Sequence, residues 1–241
     1  MGAVYKRVVL KISGESIREN NADQIIAHAL LHALGQQIIA IYELGIELAI
    51  VIGGGNIFRG HTYNGRHSGL TRTNADKMGM LATTINAIAL SDILETYGID
   101  VLIQSAIAIE GIVPRFSIDV SDRALKSGKI VIFCCGTGNP FFSTDSAAAL
   151  RACELRADIL LKATTIDGVY DDDPYKNTHA QKFKQLSYEE VLKRNLNVMD
   201  QTAFVLCMEN HIPIRIFSIK NPNGIADVFQ DLSVGTFIGN R

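Results

Sequence analysis

Short β-rich runs alternate with longer segments of helical spacing along most of the chain. Apolar residues that recur every three or four positions are typical of helices packed on one face. Continuous apolar runs bounded by glycine are typical of strands that are buried on both faces. This alternation predicts an α/β fold, a three-layer sandwich whose central, mainly parallel and twisted sheet is flanked by helices. The predicted strands are Lys6–Ile12, Glu47–Ile52, Val101–Gln104, Lys129–Cys134, Ile159–Lys162 and Pro213–Phe217, and the predicted helices are Asp23–Leu44, Asp76–Tyr97, Ile118–Ser127 and Thr144–Arg156.

After Thr164 the alternation of apolar strands and amphipathic helices stops. The segment DGVYDDDPYKNTHAQ is polar, contains Pro174 and lacks periodicity, which predicts a surface loop or lid. Its three consecutive acids, Asp171–Asp173, could hold a cation, but a solvated acidic turn before a proline is the simpler interpretation.

The last quarter of the chain carries clear helix signals. Ser187 and Glu190 have the spacing of a capping box, and Asp200 is placed to cap a helix that runs to Asn210. The GTFIG segment near the end suits a last short strand. We expect a single domain over residues 1–241, built on one sheet, with halves of about 1–160 and 161–241.

Composition narrows the classes of protein that this chain can be. The net charge is −2 without a basic block, which argues against nucleic acid or an anionic membrane as a partner. The apolar runs are too short to span a bilayer, and charges at Lys6, Arg7 and Lys11 interrupt the first one, which argues against a signal peptide. The four cysteines lack metal-binding spacing and suit a reducing compartment. The expected location is therefore the cytoplasm.

Three strand ends lead into loops rich in glycine and small polar residues: Ser13-Gly14, Gly53–Asn56 and Gly136–Asn139. Ligands of open parallel sheets bind at this edge, and glycine lets phosphate oxygens approach backbone N–H groups. Any one of these loops is explained as well by a tight turn. Three together favour an anion site.

Two lysines and an aspartate accompany the loops. Lys11 and Lys162 each stand at the end of a predicted strand, where either one alone could simply reach solvent. As a pair beside small-residue loops they favour a shared phosphate site, because phosphoryl transfer needs cations on the moving group. Asp145 begins a helix, where it could cap the helix or orient the two lysines and Mg²⁺. Arg59 could bind phosphate oxygens with its two-pronged guanidinium.

The segment between residues 59 and 76 is polar. Asp76 could cap the following helix or accept hydrogen bonds from ligand hydroxyls. The remaining charged and ring side chains favour a solvated loop: His61, Arg66, His67 and Arg72.

Several common motifs are absent from the sequence. There is no GxxxxGK(S/T), which excludes a P-loop kinase, and no GxGxxG after the first strand, which weakens a Rossmann dehydrogenase. GxSxG is also absent, which leaves an α/β-hydrolase without support.

The segments YKRVVLKISGES, VIGGGNIFRG, ADKMGMLAT, GTGNPFFSTDSAAALRA, VMDQTAF and IPIRIF occur in order over nearly the whole chain. By these segments the chain resembles the bacterial-type UMP (uridylate) kinases of the amino acid kinase superfamily. GTGNPFFSTD and DKMGMLAT are the most specific to the uridylate branch. The resemblance implies an amino acid kinase-like fold and the reaction ATP + UMP → ADP + UDP, with Mg²⁺ held mainly by nucleotide phosphates rather than by protein ligands.

The resemblance also implies roles for individual residues. The catalytic residues would be Lys11, Lys162, Asp145 and Arg59. The UMP-side half would be residues 1–160 and the ATP-side half residues 161–241. The ATP contacts would be Lys11, Ile12, Ser13, Gly14, Gly55, Arg59, Thr164, Tyr170 and Asp173, and the UMP contacts would be Gly54, Asp76, Thr137, Gly138, Asn139, Pro140, Phe141, Phe142, Ser143 and Thr144.

Further implications concern assembly and regulation. The family is typically a homohexamer inhibited by UTP. Members that respond to GTP often carry a glycine-rich stretch where this chain has Ile17–Ala22, which weighs against activation by GTP. Two other hypotheses stay open: a superfamily kinase acting on a carboxylate or carbamate, and a catalytically silent nucleotide sensor.

Overall fold

The computed structural model describes residues 5–19, 24–59, 69–196, 198–221, 224–231 and 233–239. Within these ranges, strands and helices alternate through the first two thirds of the chain. The strands are β1 (Arg7–Ile12), β2 (Glu47–Ile52), β3 (Val101–Ser105), β4 (Ile130–Cys134), β5 (Ile159–Thr164), β6 (Val169–Tyr170), β7 (Lys182–Phe183), β8 (Gln185–Leu186), β9 (Ile214–Ser218) and β10 (Thr236–Ile238). The helices are α1 (His28–Tyr42), α2 (Arg72–Thr96), α3 (Ile118–Lys126), α4 (Thr144–Glu154), α5 (Tyr188–Lys193), α6 (Gln201–Glu209) and α7 (Gly224–Gln230), with a short 3-10 helix at Gly14–Ile17.

Eight strands form one sheet in the order β3-β4-β2-β1-β5-β9-β10-β8. All neighbours from β3 to β9 are parallel, and β10 runs antiparallel to β9. Because the parallel strands all end at one edge, the loops after β1, β2, β4 and β5 meet there. The α/β fold with a mainly parallel sheet is therefore confirmed.

Helices cover both faces of the sheet and bury two apolar cores. One core joins alternate strand residues to α1, α2 and α7, and the other joins the intervening residues to α3, α4, α5 and α6. In β1, for example, Val8, Leu10 and Ile12 belong to the first core and Val9 to the second. Strands buried on both faces read as continuous apolar runs, which is the pattern that predicted them.

The starts of two helices were predicted wrongly. The first helix was placed from Asp23, which lies outside the described residues, but α1 begins at His28. Ala27 just before it is extended, and its N–H donates to Ile17 O at 2.7 Å. The second helix, α2, begins at Arg72 rather than Asp76, because the Thr71 side chain caps it by accepting from Asn74 N–H at 3.3 Å.

The segment after Thr164, predicted as a surface loop or lid, contains a small antiparallel hairpin. Val169 pairs with Phe183 and Tyr170 with Lys182. Two-residue strands leave too short a pattern for period two to be recognised. The capping box at Ser187, the cap at Asp200 and the last strand were predicted correctly. None of the helices in the described part of the chain has the length and apolar character needed to cross a membrane.

Candidate functional site

Two lysines lie side by side at the carboxyl ends of neighbouring strands. Lys11 of β1 and Lys162 of β5 are partners in the parallel register. Val9 and Leu160 pack in the core on the α4 side of the sheet, and the two-residue period places both lysines on that same side. Adjacent strands are about 4.8 Å apart, so the ammonium groups would repel each other without an anion between them.

That anion is the carboxylate of Asp145, in the first turn of α4. Ser143 is the cap of this helix, since its Oγ accepts from Ser146 N–H at 3.1 Å. The capping role considered for Asp145 is therefore wrong, although the first turn of a helix still favours a carboxylate. Small side chains behind it let α4 pack closely on the sheet: Ala147, Ala148, Ala149 and Ala152.

The three charged groups form one compact cluster. Lys11 Nζ lies 2.8 Å from Asp145 Oδ1, and Lys162 Nζ lies 2.7 Å from Asp145 Oδ2. Lys162 also donates to Val198 O at 2.8 Å. The three side chains are only 13 to 14% exposed. Two cations and one anion leave one positive charge, which suits the binding of an anionic ligand.

Burial and charge act in opposite directions on these groups. Burial raises the pKa of Asp145, but attraction to Lys11 and Lys162 outweighs it, and the pKa lies below its ordinary value. Burial lowers the pKa of Lys162, and although Asp145 opposes this effect, the pKa of Lys162 stays below its ordinary value. Perturbed groups of this kind are typical of functional sites.

The loops after β1 and β2 meet beside Lys11, and two of their glycines have no room for a side chain. A Cβ added at Gly14 would lie 2.6 Å from Gly53 O, and one added at Gly54 would lie 2.8 Å from the Cβ of Ala82. Only glycine fits contacts this close. The two glycines therefore let the loops pack closely, and Gly14, Gly54 and Gly55 bring backbone to the cleft, where successive N–H groups can bind an anion.

The loop after β4 is held in an unusual conformation. Four residues between Cys135 and Phe141 have positive φ, including these two with φ of 60° and 74°. Left-handed backbone costs a residue with a side chain about 1–2 kcal/mol, so other contacts must hold it. Cys135 N–H donates to Thr83 Oγ1 at 2.7 Å, and Phe141 N–H donates to Asp76 Oδ2 at 2.9 Å. The long helix α2 thus fixes both ends of this loop.

Arg72 was predicted to lie in a solvated loop, and this was wrong. It occupies the first turn of α2, where its Nε lies 2.9 and 2.8 Å from the two carboxylate oxygens of Asp76. Its guanidinium also lies 5.7 Å from the ring of Phe141. The spacing of four residues between Arg72 and Asp76 was the available signal, since such residues face each other on a helix.

These loops enclose a cleft of about 440 Å³. Lys11 lines it. Asp145 and Lys162 do not, but Asp145 contacts Lys11, and Lys162 contacts Asp145. Glu15, which is not among the predicted site residues, also lines it and forms an ion pair with Arg59. Among the predicted site residues that line the cleft are Ser13, Gly14, Gly54, Gly55, Arg59, Asp76, Thr137, Phe141, Phe142, Ser143 and Thr144. Ile12, Gly138, Asn139 and Pro140 do not line it.

The remaining predicted ATP contacts lie on the other side of β1, at and beyond the end of β5. Thr164 is the last residue of β5, and its Oγ1 accepts from Ile166 N–H at 3.3 Å. Tyr170 belongs to the hairpin and donates to Asp167 at 2.7 Å. Asp173 accepts from Tyr175 N–H at 3.0 Å. The structure does not place these three in the lining of the cleft.

Asp200 makes a connection that the sequence did not reveal. Besides capping α6 through Ala203 N–H at 2.9 Å, it accepts from Ser146 Oγ at 3.0 Å and from Ser143 Oγ. It therefore ties the start of α4, where Asp145 lies, to the start of α6. Contacts between residues more than fifty positions apart leave no local pattern to read. His61, Arg66, His67 and, from the stretch considered for GTP, Asn20–Ala22 lie outside the described residues.

The carboxylates around the cleft are already paired with cations. Glu15 contacts Arg59, Asp76 contacts Arg72, and Asp145 contacts both lysines. Within the described ranges, no group of three or more His, Cys, Asp or Glu is arranged to hold a metal ion.

Comparison with known proteins gives consistent results. The model of the amino acid kinase family matches residues 6–218. A uridylate kinase from Magnetococcus marinus is 50% identical over 236 residues, which cover 98% of this chain and 97% of that protein. The crystal structure of UMP kinase from Ureaplasma parvum is similar with a TM-score of 0.92 at 38% identity, over 98% of this chain and 99% of the other. The UMP kinase structure from Bacillus anthracis gives 0.93 at 34% identity, over 98% and 96%.

Proposed function

Because the chain belongs to the amino acid kinase family, and to its uridylate kinase branch, we propose that it transfers the γ-phosphoryl group of ATP to UMP. The products are ADP and UDP. The observation that carries this function is the cluster of Lys11, Asp145 and Lys162 beside loops that only glycine can form.

The lysine pair supplies the positive charge that the reaction needs. In phosphoryl transfer, negative charge spreads over the equatorial oxygens of the moving group and over the bridging oxygens. Lys11 and Lys162 neutralise this charge, and Asp145 holds both ammonium groups at the same place. The UMP phosphate is itself the nucleophile, so a general base is unnecessary. Mg²⁺ bound to the phosphates of ATP would add to this charge neutralisation, which suits a cleft whose carboxylates Glu15, Asp76 and Asp145 are already paired with cations.

The acceptor side of the reaction lies between α2 and the loop after β4. Asp76, which holds Phe141 N–H, has carboxylate oxygens suited to accept from ribose hydroxyls. Gly54, Thr137 and Phe141–Thr144 complete the UMP side, and Gly55, Arg59 and Ser13-Gly14 face the ATP phosphates. Thr164 ends β5, and Tyr170 and Asp173 lie beyond it, which supports a division into a UMP-side half at 1–160 and an ATP-side half at 161–241.

This function predicts a narrow acceptor range. The purified chain with MgATP is expected to phosphorylate UMP and to leave acetylglutamate, aspartate and carbamate unchanged, as measured by ADP release with a coupled assay. Phosphorylation of one of these three acceptors in place of UMP would favour the alternative superfamily kinase. Inhibition by UTP stays a prediction from the resemblance, and a cytoplasmic location stays a prediction from the composition.

An apolar stripe on α2 supports self-association, and we propose that a second copy of the chain covers it. Met78, Leu81, Ile85 and Ile88 follow one another at helical spacing, and Leu81 and Ile85 are 50% and 51% exposed. Met80, in contrast, is buried in the core. Contiguous exposed apolar side chains of this kind mark interaction surfaces. The stripe supports a dimer as the unit from which the expected homohexamer is built.

The double substitution Leu81→Glu with Ile85→Glu is expected to reduce the molar mass in solution, because it places two carboxylates in the interface. Light scattering after size exclusion measures this mass. The matched control is Leu192→Glu on α5, an apolar residue of similar exposure outside the stripe, which should leave the mass unchanged. An unchanged mass for the double variant would contradict the role of the stripe.

A further inference from the structure

Two buried asparagines form a reciprocal amide pair beneath the glycine loops. Asn86 Nδ2 donates to Asn56 Oδ1 at 2.7 Å, and Asn56 Nδ2 donates to Asn86 Oδ1 at 3.1 Å. The two residues are 0% and 2% exposed. A buried amide group without partners is costly, so each side chain fixes the orientation of the other.

The pair also binds the backbone of two other segments. Asn86 Nδ2 donates to Gly53 O at 2.7 Å, at the start of the loop after β2. Asn56 Nδ2 donates to Ile25 O at 2.9 Å, in the segment before α1. Asn86 thereby connects the middle of α2 to the glycine loop after β2.

The loop after β1 rests directly on the same pair. A Cβ added at Gly14 would lie 2.3 Å from Asn56 Oδ1 and 3.0 Å from Asn86 Nδ2. Gly14 is therefore in contact with both amides, and any movement of the pair changes the space under this loop. The glycine loops from β1 and β2 share one polar support, although neither asparagine lines the cleft.

We propose that Asn86 is a positioning residue for phosphoryl transfer. From α2 it fixes the positions of Gly53 and Gly14 relative to Lys11, so that the backbone N–H groups of both loops point at one phosphoryl group. It acts through the loops and touches no substrate. This inference rests on the proposed function, since it assigns to the loops the role that the reaction gives them.

Replacement by aspartate tests this role with almost no change in shape. The carboxylate introduced by Asn86→Asp can still accept from Asn56 Nδ2, but it cannot donate to Gly53 O or to Asn56 Oδ1. Displacements of about 1 Å from the productive geometry cost about 100-fold in rate. We therefore expect kcat with saturating MgATP and UMP to fall about 100-fold, measured at a temperature where circular dichroism shows the variant folded.

The pH profile separates positioning from stability. A protonated carboxyl group regains a donor, so the ratio of kcat for Asn86→Asp to that of the unchanged chain should rise as the pH is lowered. Ser91→Ala is the matched control: Ser91 is a buried polar residue of α2 whose hydroxyl donates to Glu95 of the same helix at 3.1 Å. This control should change kcat less than twofold.

The possible outcomes are distinct. A variant that melts at a lower temperature but keeps kcat within twofold of the unchanged chain, with no pH-dependent recovery, would overturn the positioning role. If Asn86→Asp does not fold, Asn86→Ser takes its place; it loses the bond to Gly53 O without burying a charge. It should also lower kcat, and unchanged kcat would overturn the role.

Failure of the proposed function would be recognised separately. If the unchanged chain does not phosphorylate UMP, the function fails, and isothermal titration with ADP and with UMP then tests the asparagine pair. Because both loops rest on the pair, Asn86→Asp should weaken the binding of both nucleotides. If Asn86→Asp binds ADP and UMP as tightly as the unchanged chain does, the inference about Asn86 is overturned, whatever the function of the chain is.

Discussion

Replacing Lys162 with alanine is expected to lower kcat for UMP phosphorylation by about 1,000-fold. The Lys162 ammonium lies 2.7 Å from Asp145 and is anchored by Val198 O, so it stays in place while charge develops on the phosphoryl oxygens. Its removal takes away that charge and leaves Asp145 with one cation. Initial rates of UDP formation at saturating substrates measure the loss.

The matched control for this prediction is Lys129→Ala. Lys129 also pairs with an aspartate, Asp100, at 3.1 Å, but it precedes β4 and so lies at the opposite edge of the sheet. This variant should keep the activity of the unchanged chain. Near-normal turnover in a folded Lys162→Ala variant would refute the role of Lys162.

The perturbed pKa of Lys162 adds a second readout. Because burial holds the pKa below the ordinary value of 10.5, Lys162 loses its proton at a lower pH than an exposed lysine does. The profile of kcat/KM, which reports the free enzyme, should therefore fall on the alkaline side below 10.5. In Lys162→Arg the guanidinium keeps its proton, so this fall should move to higher pH.

The second large effect is expected for Asp145→Asn. Without the carboxylate, Lys11 and Lys162 repel each other and no longer converge, and we expect kcat to fall by about 100-fold. The variant gains net positive charge, so the KM for ATP should not rise. Asp100→Asn, which breaks the ion pair at the other edge of the sheet, is the control and should leave kcat unchanged.

Stability should respond to the same substitution in a pH-dependent way. The pKa of Asp145 in the folded state lies below the unfolded value of 3.8. Its ionised form therefore stabilises the fold above that pH, and this contribution is lost as the pH falls through the folded-state pKa. The Tm of Asp145→Asn should be lower than that of the unchanged chain at pH 7, and the difference should narrow in acid. Unchanged kcat together with unchanged Tm would refute the central place of Asp145.

The architecture was predictable because strands buried on both faces and amphipathic helices leave periodic patterns. Lys11 and Lys162 could be selected because a charged residue at the end of an apolar run is unusual in a core. Their pairing in the register could not be predicted, because the local sequence pattern does not show that β1 and β5 are neighbours in the sheet. The same limit hid the link from Asp200 to α4 and the amide pair of Asn56 and Asn86.

The wrong predictions for single segments have causes in the sequence near those segments. Arg72 was misplaced because the start of α2 was read four residues late, and the Thr71 cap was overlooked. The hairpin after Thr164 was missed because its strands have two residues each. The positive φ of Phe141 was also beyond reach, because a bulky residue adopts it only when contacts such as the bond to Asp76 hold it there.

The most direct test of phosphoryl transfer to UMP is product analysis by ³¹P nuclear magnetic resonance of a mixture of the purified chain, MgATP and UMP. ADP and UDP are expected to appear in equal amounts with the unchanged chain, and in far smaller amounts with Lys162→Ala. Binding of UMP without either product would indicate a catalytically silent sensor. ADP without UDP would show that ATP is hydrolysed to ADP and inorganic phosphate, and either result would contradict the proposed function.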